Sequence, residues 1–195
     1  MTTVNAVIDF WFPENVRPSP DHPEGLDNPA WFTPDAAYDS EIARRFGEAW
    51  GQAGEGALDG WTATPEGALA LTILLDQFPR NMFRGDPRAF STDPKALAVA
   101  LAAIDRGDDA DLPAVMRKFF YLPLEHAEDP AMQARCVALF TALGEAEALR
   151  YAVLHRDIIA RFGRFPHRNH ILGRVSTPEE TAWLEGGGET FGTSV

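Results

Sequence analysis

Two segments of the chain share an unusual combination of residues that could form a charged site. Residues 76–84 and residues 164–174 each place Phe-Pro ahead of an Arg-Asn pair and then add a further arginine. A guanidinium group is costly to bury unless it is paired, and a proline breaks a helix and frees a backbone carbonyl. Such a cluster inside the protein needs carboxylates or an anionic ligand beside it. The two segments therefore point to a polar site, but they do not identify a reaction.

The leading interpretation of this site is a pocket for a small anion, because a planar guanidinium binds carboxylate or phosphate through two parallel hydrogen bonds. The candidate ligand-binding residues are acids, amides and arginines of these and one further segment: Asp76, Arg80, Asn81, Arg84, Glu125, Glu128, Arg164, Arg168, Asn169 and Arg174. In the competing interpretation the arginines neutralise Asp76, Glu125 and Glu128 within a structural network, since buried ion pairs can specify packing without adding stability. A mixture of internally paired and ligand-facing arginines is the third possibility.

Two histidines, His126 and His167, are the candidates for proton transfer. Histidine titrates near neutral pH and acts as a general acid or base when a carboxylate orients its other ring nitrogen. His126 follows Pro123, so we expect it where a helix is interrupted, and such breaks on a rigid scaffold often carry function. A histidine that is hydrogen-bonded only for packing is the competing interpretation.

Neither a metal ion nor a cofactor is predicted. His167 and His170 are close enough to share a helical face, but the surrounding arginines disfavour a cation electrostatically. The acids and the histidine within residues 125–128 lack a zinc or calcium spacing. A glycine-rich phosphate loop and a serine nucleophile elbow are also missing from the sequence.

Length and composition are those of a soluble globular domain. The chain has 195 residues, of which 45% are hydrophobic and 24% charged, enough to bury a substantial core. Its formal net charge of -12 disfavours nonspecific attraction to nucleic acids and anionic membranes. Cys136 is the single cysteine, the amino terminus lacks the basic region of a signal peptide, and the apolar runs are shorter than the roughly 20 residues that span a bilayer. We therefore expect a cytoplasmic protein whose partner is a small anionic ligand, a protein or a peptide, and not a nucleic acid or a membrane.

The sequence predicts an all-α fold of stacked antiparallel helical hairpins. Thr-Pro or Asp-Pro pairs place a capping side chain before a proline at the start of five predicted helices, at Thr33, Thr64, Asp93, Asp129 and Thr177. No run of alternating β-branched residues indicates a strand, and short connections favour antiparallel neighbours. The predicted helices cover residues 3–11, 35–52, 65–78, 94–106, 112–121, 130–143, 146–162, 166–172 and 178–185. Residues 1–185 are expected to form one helical domain, and residues 186–195, which include three consecutive glycines, a flexible tail.

The predicted helix 65–78 is apolar on nearly every side, which is typical of a helix in the middle of a fold. It ends at Asp76 and Gln77, so it carries a carboxylate into or next to the core. A buried carboxylate requires partners.

Six segments of the chain resemble a bacterial family catalogued as domain of unknown function 924. The matching segments are residues 7–12, 75–81, 121–129, 163–169, 172–174 and 176–180. The resemblance thus covers essentially the whole chain. It implies an all-α fold similar to the tetratricopeptide superhelix, although the sequence shows no strict repeat of that length. It implies no activity.

Two functional alternatives to a small-anion site remain open at this point. One is a helical-repeat module whose concave surface binds a protein or peptide, which predicts an exposed groove. The other is a hydrolase or transferase that acts on the bound anion, which requires a base near the ligand.

Overall fold

Helices account for nearly all of the regular structure of this chain. The computed structural model describes residues 1–192 and has no β-strand among them. Its α-helices are α1 Val4–Trp11, α2 Ala36–Gly54, α3 Pro65–Met82, α4 Asp93–Arg106, α5 Ala114–Glu125, α6 Pro130–Leu143, α7 Ala146–Phe162 and α8 Pro178–Glu185. Consecutive helices from α2 to α7 pack against one another. The predicted all-α fold is confirmed, whereas the tetratricopeptide-like arrangement stays a prediction.

Helix α3 lies at the centre of the molecule, as its apolar sequence predicts. All residues from Gly67 to Pro79 are buried, and the helix packs against α1, α2, α4 and α5. The main hydrophobic cluster draws residues from α1 through α7, so the helices share one core and form one domain. Within residues 1–192, no helix is both long and apolar enough to cross a membrane.

Capping side chains fix the helix starts, although not always the predicted ones. Thr64, Asp129 and Thr177 cap α3, α6 and α8 through side-chain oxygens that accept backbone N–H groups. The start predicted at Thr33 is wrong by two residues, because Asp35 accepts the first free N–H groups of α2. Asp93 is not a cap either, since it lies within the first turn of α4 and its carboxylate binds Arg80.

Two prolines lie inside helices that were expected to stop before them. Helix α3 continues through Pro79 to Met82, and α5 continues through Pro123 to Glu125. The predicted interruption ahead of His126 is therefore wrong, and His126 is the residue that follows the end of α5. In α3 the carbonyl that Pro79 leaves without its usual partner belongs to Leu75, and the Thr92 hydroxyl donates to it at 2.5 Å. A replacement donor allows the helix to tolerate the proline.

The predicted helix at residues 166–172 is also wrong, because only a 3-10 turn forms there, over Pro166–Arg168. Arginine side chains satisfy carbonyls on either side of the turn. Arg174 donates to the Phe165 carbonyl at 3.1 Å, and Arg164 donates to the Val175 carbonyl at 2.9 Å. Of the expected flexible tail, residues 186–192 turn back from the end of α8, and residues 193–195 lie outside the described residues.

Candidate functional site

A cavity of about 800 Å³ lies where α3, α5 and α7 meet the turn at 166–168. One part of its wall is polar and is formed by Gln77, Arg80, Glu125, His126, His155, His167 and Arg168. Another part is aromatic and is formed by Trp31, Phe32, Phe90, Phe140, Tyr151 and Phe191. Its volume and its mixture of apolar walls with a few polar groups are typical of small-molecule sites.

Asp76 and His126 form a hydrogen-bonded pair at this wall. His126 Nδ1 lies 2.8 Å from Asp76 Oδ1, and the other Asp76 oxygen accepts from Gln77 Nε2 at 2.5 Å. Burial alone would raise the pKa of Asp76, but Arg80 and His126 outweigh it and hold that pKa below its ordinary value. Since a carboxylate can only accept, His126 Nδ1 carries the proton and its Nε2 keeps a free lone pair.

Arg80 is almost fully occupied by partners within the protein. Its Nη1 and Nη2 donate to the two oxygens of Asp93 at 2.8 and 2.9 Å. Nη1 also donates to the Asp76 carbonyl at 2.7 Å and lies 3.3 Å from the Asp76 carboxylate. This bidentate geometry is that of a structural ion pair.

Arg168 has far fewer partners, although it is only 6% exposed. Its Nη1 donates to the His126 carbonyl at 3.1 Å, while the nearest carboxylate oxygen, on Asp93, is 3.7 Å away. Its Nε is buried with no hydrogen-bond partner among the described residues. The guanidinium lies over the rings of Phe90 and Phe165, 4.8 and 4.4 Å from their centroids. Burial and the nearby Arg80 lower the pKa of Arg168 to about 10, so it is still charged at neutral pH.

Glu125 and two histidines are neutral groups at the same wall. Burial and the Asp76 carboxylate raise the pKa of Glu125 to about 8. His155 Nδ1 lies 2.9 Å from the Tyr151 carbonyl and 3.3 Å from Glu125 Oε1. Burial lowers the pKa of His155 well below its ordinary value, and burial with Arg168 lowers that of His167 to about 3. These three side chains therefore add no charge at pH 7.

Five of the twelve predicted site residues meet at the polar wall of the cavity, and they are Arg80, Glu125, His126, His167 and Arg168. A sixth, Asp76, is fully buried behind this wall, where it binds His126 and Arg80. Asn81 and Arg84 also line the cavity, but their side chains bind Asp39, with Arg84 Nε 2.6 Å from a carboxylate oxygen.

The remaining four predicted residues bind one another or Glu180 in a separate network. Arg174 binds Glu128 through two hydrogen bonds of 2.6 and 2.9 Å, and Glu128 also accepts the Phe165 N–H. Arg164 binds Glu180, which is the third residue of α8, and Asn169 bridges Glu180 and Arg174. These contacts position the turn at 166–168, and they are the contacts of a structural ion-pair network.

Sequence reasoning missed two residues near this wall: Asp93, which binds Arg80 and approaches Arg168, and Phe191, which lines the cavity beside His155 and His167. Asp93 was assigned as the cap of α4, but the residue at the N-cap position is Thr92. Phe191 was assigned to the tail. No local signal in the sequence could have found it, because its place at the cavity depends on the path of the chain after α8.

Within residues 1–192, no group of three or more His, Cys, Asp or Glu side chains is arranged to hold a metal ion. The free lone pair of His126, the neutral carboxyl of Glu125 and the guanidinium of Arg168 instead form a set that can bind an anion and move a proton.

Comparison with known proteins identifies a family but no function. Among curated proteins, none matches this chain significantly. The chain is similar to a solved structure of a protein of unknown function from Agrobacterium tumefaciens, with a TM-score of 0.83 and 45% sequence identity over 94% of this chain and 97% of that one. A family model described as a bacterial protein of unknown function (DUF924) matches residues 7–188. With nearly the whole chain matched, this protein belongs to the DUF924 family.

Proposed function

We propose that the cavity binds a small organic anion and that Arg168 is the main contact for its carboxylate or phosphate group. The observation that carries this proposal is the buried guanidinium of Arg168, whose Nε has no partner among the described residues. A buried donor without an acceptor costs about 1–3 kcal/mol, and more when the group is charged. An anionic ligand would supply the missing acceptor.

The charges at the polar wall of the cavity support the same proposal. The carboxylates of Asp76 and Asp93 balance the guanidinium groups of Arg80 and Arg168. Glu125, with its pKa raised to about 8 by burial, adds no negative charge at pH 7. An anion at this wall therefore meets no excess of acids, although Asp27, Glu145, Glu147 and Glu189 line the rest of the cavity together with Lys118.

Arg168→Met tests the proposal, because methionine fills similar space without a charge. We expect inorganic phosphate or acetate to raise the melting temperature of the wild-type protein but not that of Arg168→Met, since a ligand stabilises the state that it binds. Without ligand, Arg168→Met should be as stable as wild type or more stable, because replacing a poorly paired buried charge by a hydrophobic residue is often stabilising. Thermal shift and isothermal titration calorimetry measure both effects.

Two arginine variants serve as controls. Arg161→Met removes an exposed arginine that pairs with Glu179 and should keep the response to anions. Arg80→Met should destabilise the protein by about 3–5 kcal/mol, because it leaves the buried carboxylate of Asp76 without its arginine partner. If no phosphate or carboxylate stabilises the wild-type protein, or if Arg168→Met responds like wild type, the proposed site is wrong.

A second candidate function, proton transfer to or from the bound anion, is favoured by the Asp76–His126 pair. A carboxylate on Nδ1 fixes the tautomer in which Nε2 can accept a proton. Nearby Glu125 holds a proton at neutral pH, so one base and one acid face the same cavity. A hydrolase or transferase needs such a pair, whereas a peptide-binding module has no use for it.

His126→Gln tests this second function with p-nitrophenyl phosphate as the substrate. We expect turnover to fall by about 10²–10⁴ fold, since that is the usual contribution of a general base. Binding of inorganic phosphate should change little, because His126 does not supply the anion contact. The matched control is His22→Gln, which changes an exposed histidine. Equal turnover in wild type and His126→Gln would contradict a catalytic role.

A further inference from the structure

Phe191 fills an aromatic slot in the wall of the cavity. Its ring is stacked on the ring of His155, with centroids 3.7 Å apart and an interplanar angle of 15°. It meets His167 edge-on at 5.5 Å, and Phe165 completes the slot with an edge contact to His155 at 5.4 Å. Two imidazoles and one phenyl ring thus surround a planar group. This slot borders the same cavity as Arg168.

The segment that carries Phe191 is held by few backbone constraints. After α8, Gly187 adopts a φ of +82°, and Gly188 donates to the Trp183 carbonyl at 2.9 Å. Gly188 lies flat on the Trp183 indole, where a Cβ atom would come within 2.4 Å of the ring. Phe191 itself has a φ of +50°, which is unfavourable for a non-glycine residue by about 1–2 kcal/mol. Stacking in the slot therefore offsets backbone strain, and the ring is not held by secondary structure.

The slot also has hydrogen-bonding capacity that Phe191 cannot use. His167 Nδ1 is buried without a partner among the described residues. Because the Tyr151 carbonyl can only accept, His155 Nδ1 carries its proton and Nε2 remains an acceptor. A phenyl ring satisfies neither nitrogen. A ligand ring with a polar edge atom towards His167 would keep the stacking on His155 and gain a hydrogen bond. His155 Nε2, whose lone pair lies in the plane of its own ring, can be reached only by a substituent that extends beyond the stacked ring.

We infer that the slot between His155 and His167 is a subsite for a planar ring of the ligand, and that Phe191 occupies it until such a ring displaces it. The inference rests on the proposed function, because the ring is placed beside the group that Arg168 binds. His167 and Arg168 are adjacent in sequence and line the same cavity, so the ligand class is a small carboxylate or phosphate that bears an aromatic or heteroaromatic ring. Phe191 then competes with the ring of the ligand for this slot.

Phe191→Ala tests the inference by calorimetric titration with benzoate and cyclohexanecarboxylate, which carry the same charge on a planar and a non-planar ring. Removal of the competing ring should tighten benzoate binding by about 2- to 12-fold, since an aromatic pair contributes about 0.5–1.5 kcal/mol. Cyclohexanecarboxylate should gain less, and inorganic phosphate should bind as to wild type. Phe191→Tyr keeps the ring and should behave like wild type.

Gly188→Ala provides an independent variant, because its added Cβ atom pushes the segment away from Trp183 and should move Phe191 out of the slot. It should tighten benzoate binding in the same direction as Phe191→Ala. Weaker benzoate binding in Phe191→Ala, or equal gains for both ring acids, would show that the slot is not a ring subsite. Binding of phosphate would in that case still support the proposed function. If Phe191→Ala also tightens benzoate binding when it is combined with Arg168→Met, the ring subsite is supported and Arg168 is not the anion contact. If wild type and Phe191→Ala bind none of the probes, both proposals are wrong.

Discussion

Glu125 is a buried carboxyl group, and the one basic side chain within 4 Å of it, among the described residues, is His155. The residue is 5% exposed, and the nearby Arg80 pairs with the carboxylates of Asp76 and Asp93 and not with Glu125. Burial and that like charge raise the pKa of Glu125 to about 8, well above its ordinary value of 4.5. The C-terminal end of α5 thus presents an acid at residue 125, followed by a base at residue 126.

A pH dependence of stability follows from this raised pKa. Between pH 4.5 and pH 8 the folded protein binds a proton at Glu125 that the unfolded chain has released, so Glu125 makes stability fall as pH rises through this window. In Glu125→Gln, which is neutral at every pH, this loss is removed. The free energy of unfolding should therefore decline with pH by up to a few kcal/mol more in wild type than in the variant.

Urea denaturation at pH 5, 6, 7 and 8 measures that difference. The lowered pKa values of three histidines, His126, His155 and His167, have the opposite effect on stability. Below pH 6.5 the unfolded chain binds protons at these residues that the folded protein does not, so they make stability rise with pH up to that value. The difference between the two proteins isolates Glu125, since the variant retains all three histidines. Parallel profiles in the two proteins would show that Glu125 is charged in the folded state.

Helix α3 owes its full length to a contact outside itself. The proline at position 79 removes a helical hydrogen bond, and the Thr92 hydroxyl replaces it at the Leu75 carbonyl. Because α3 therefore continues to Met82, Arg80 projects from a complete helical turn and reaches both Asp76 and Asp93. Without this extension, the two acids and Arg80 would not be held on one side of the cavity.

Thr92→Val should therefore destabilise the protein by about 1–3 kcal/mol, because it leaves a buried carbonyl without a donor while conserving side-chain shape. It also removes the acceptor of Trp50 Nε1, which lies 3.2 Å from the hydroxyl. The matched control is Thr141→Val, whose exposed hydroxyl bonds the Val137 carbonyl within α6. That change should alter the free energy of unfolding by less than about 0.5 kcal/mol. Urea denaturation compares them, and equal effects would mean that Pro79 is tolerated for another reason.

At the scale of the whole molecule, the two Phe-Pro segments meet through Asp93. Arg80 of the first segment binds this carboxylate directly, and Arg168 of the second approaches it to 3.7 Å. Their other arginines diverge: Arg84 turns to Asp39, and Arg164 and Arg174 hold the turn at 166–168. The same motif therefore contributes a structural network and, in the proposed function, a charge that faces the ligand, so the mixed interpretation stays a prediction.

The sequence by itself determined the elements of this protein. Capping residues and apolar helix faces act over a few residues, so they predicted α1 to α8 and the central place of α3. The prolines at 79 and 123 and the segment 166–172 were misread, because their structure depends on contacts with distant residues. Only the tertiary structure decided which charges are satisfied. Arg80 and Arg168 occur in similar motifs, yet one has a bidentate carboxylate and the other a buried Nε without a partner. That difference arises from Asp93, which binds Arg80 directly and lies 3.7 Å from Arg168. Its position between the two arginines depends on the folded path of the chain and not on local sequence.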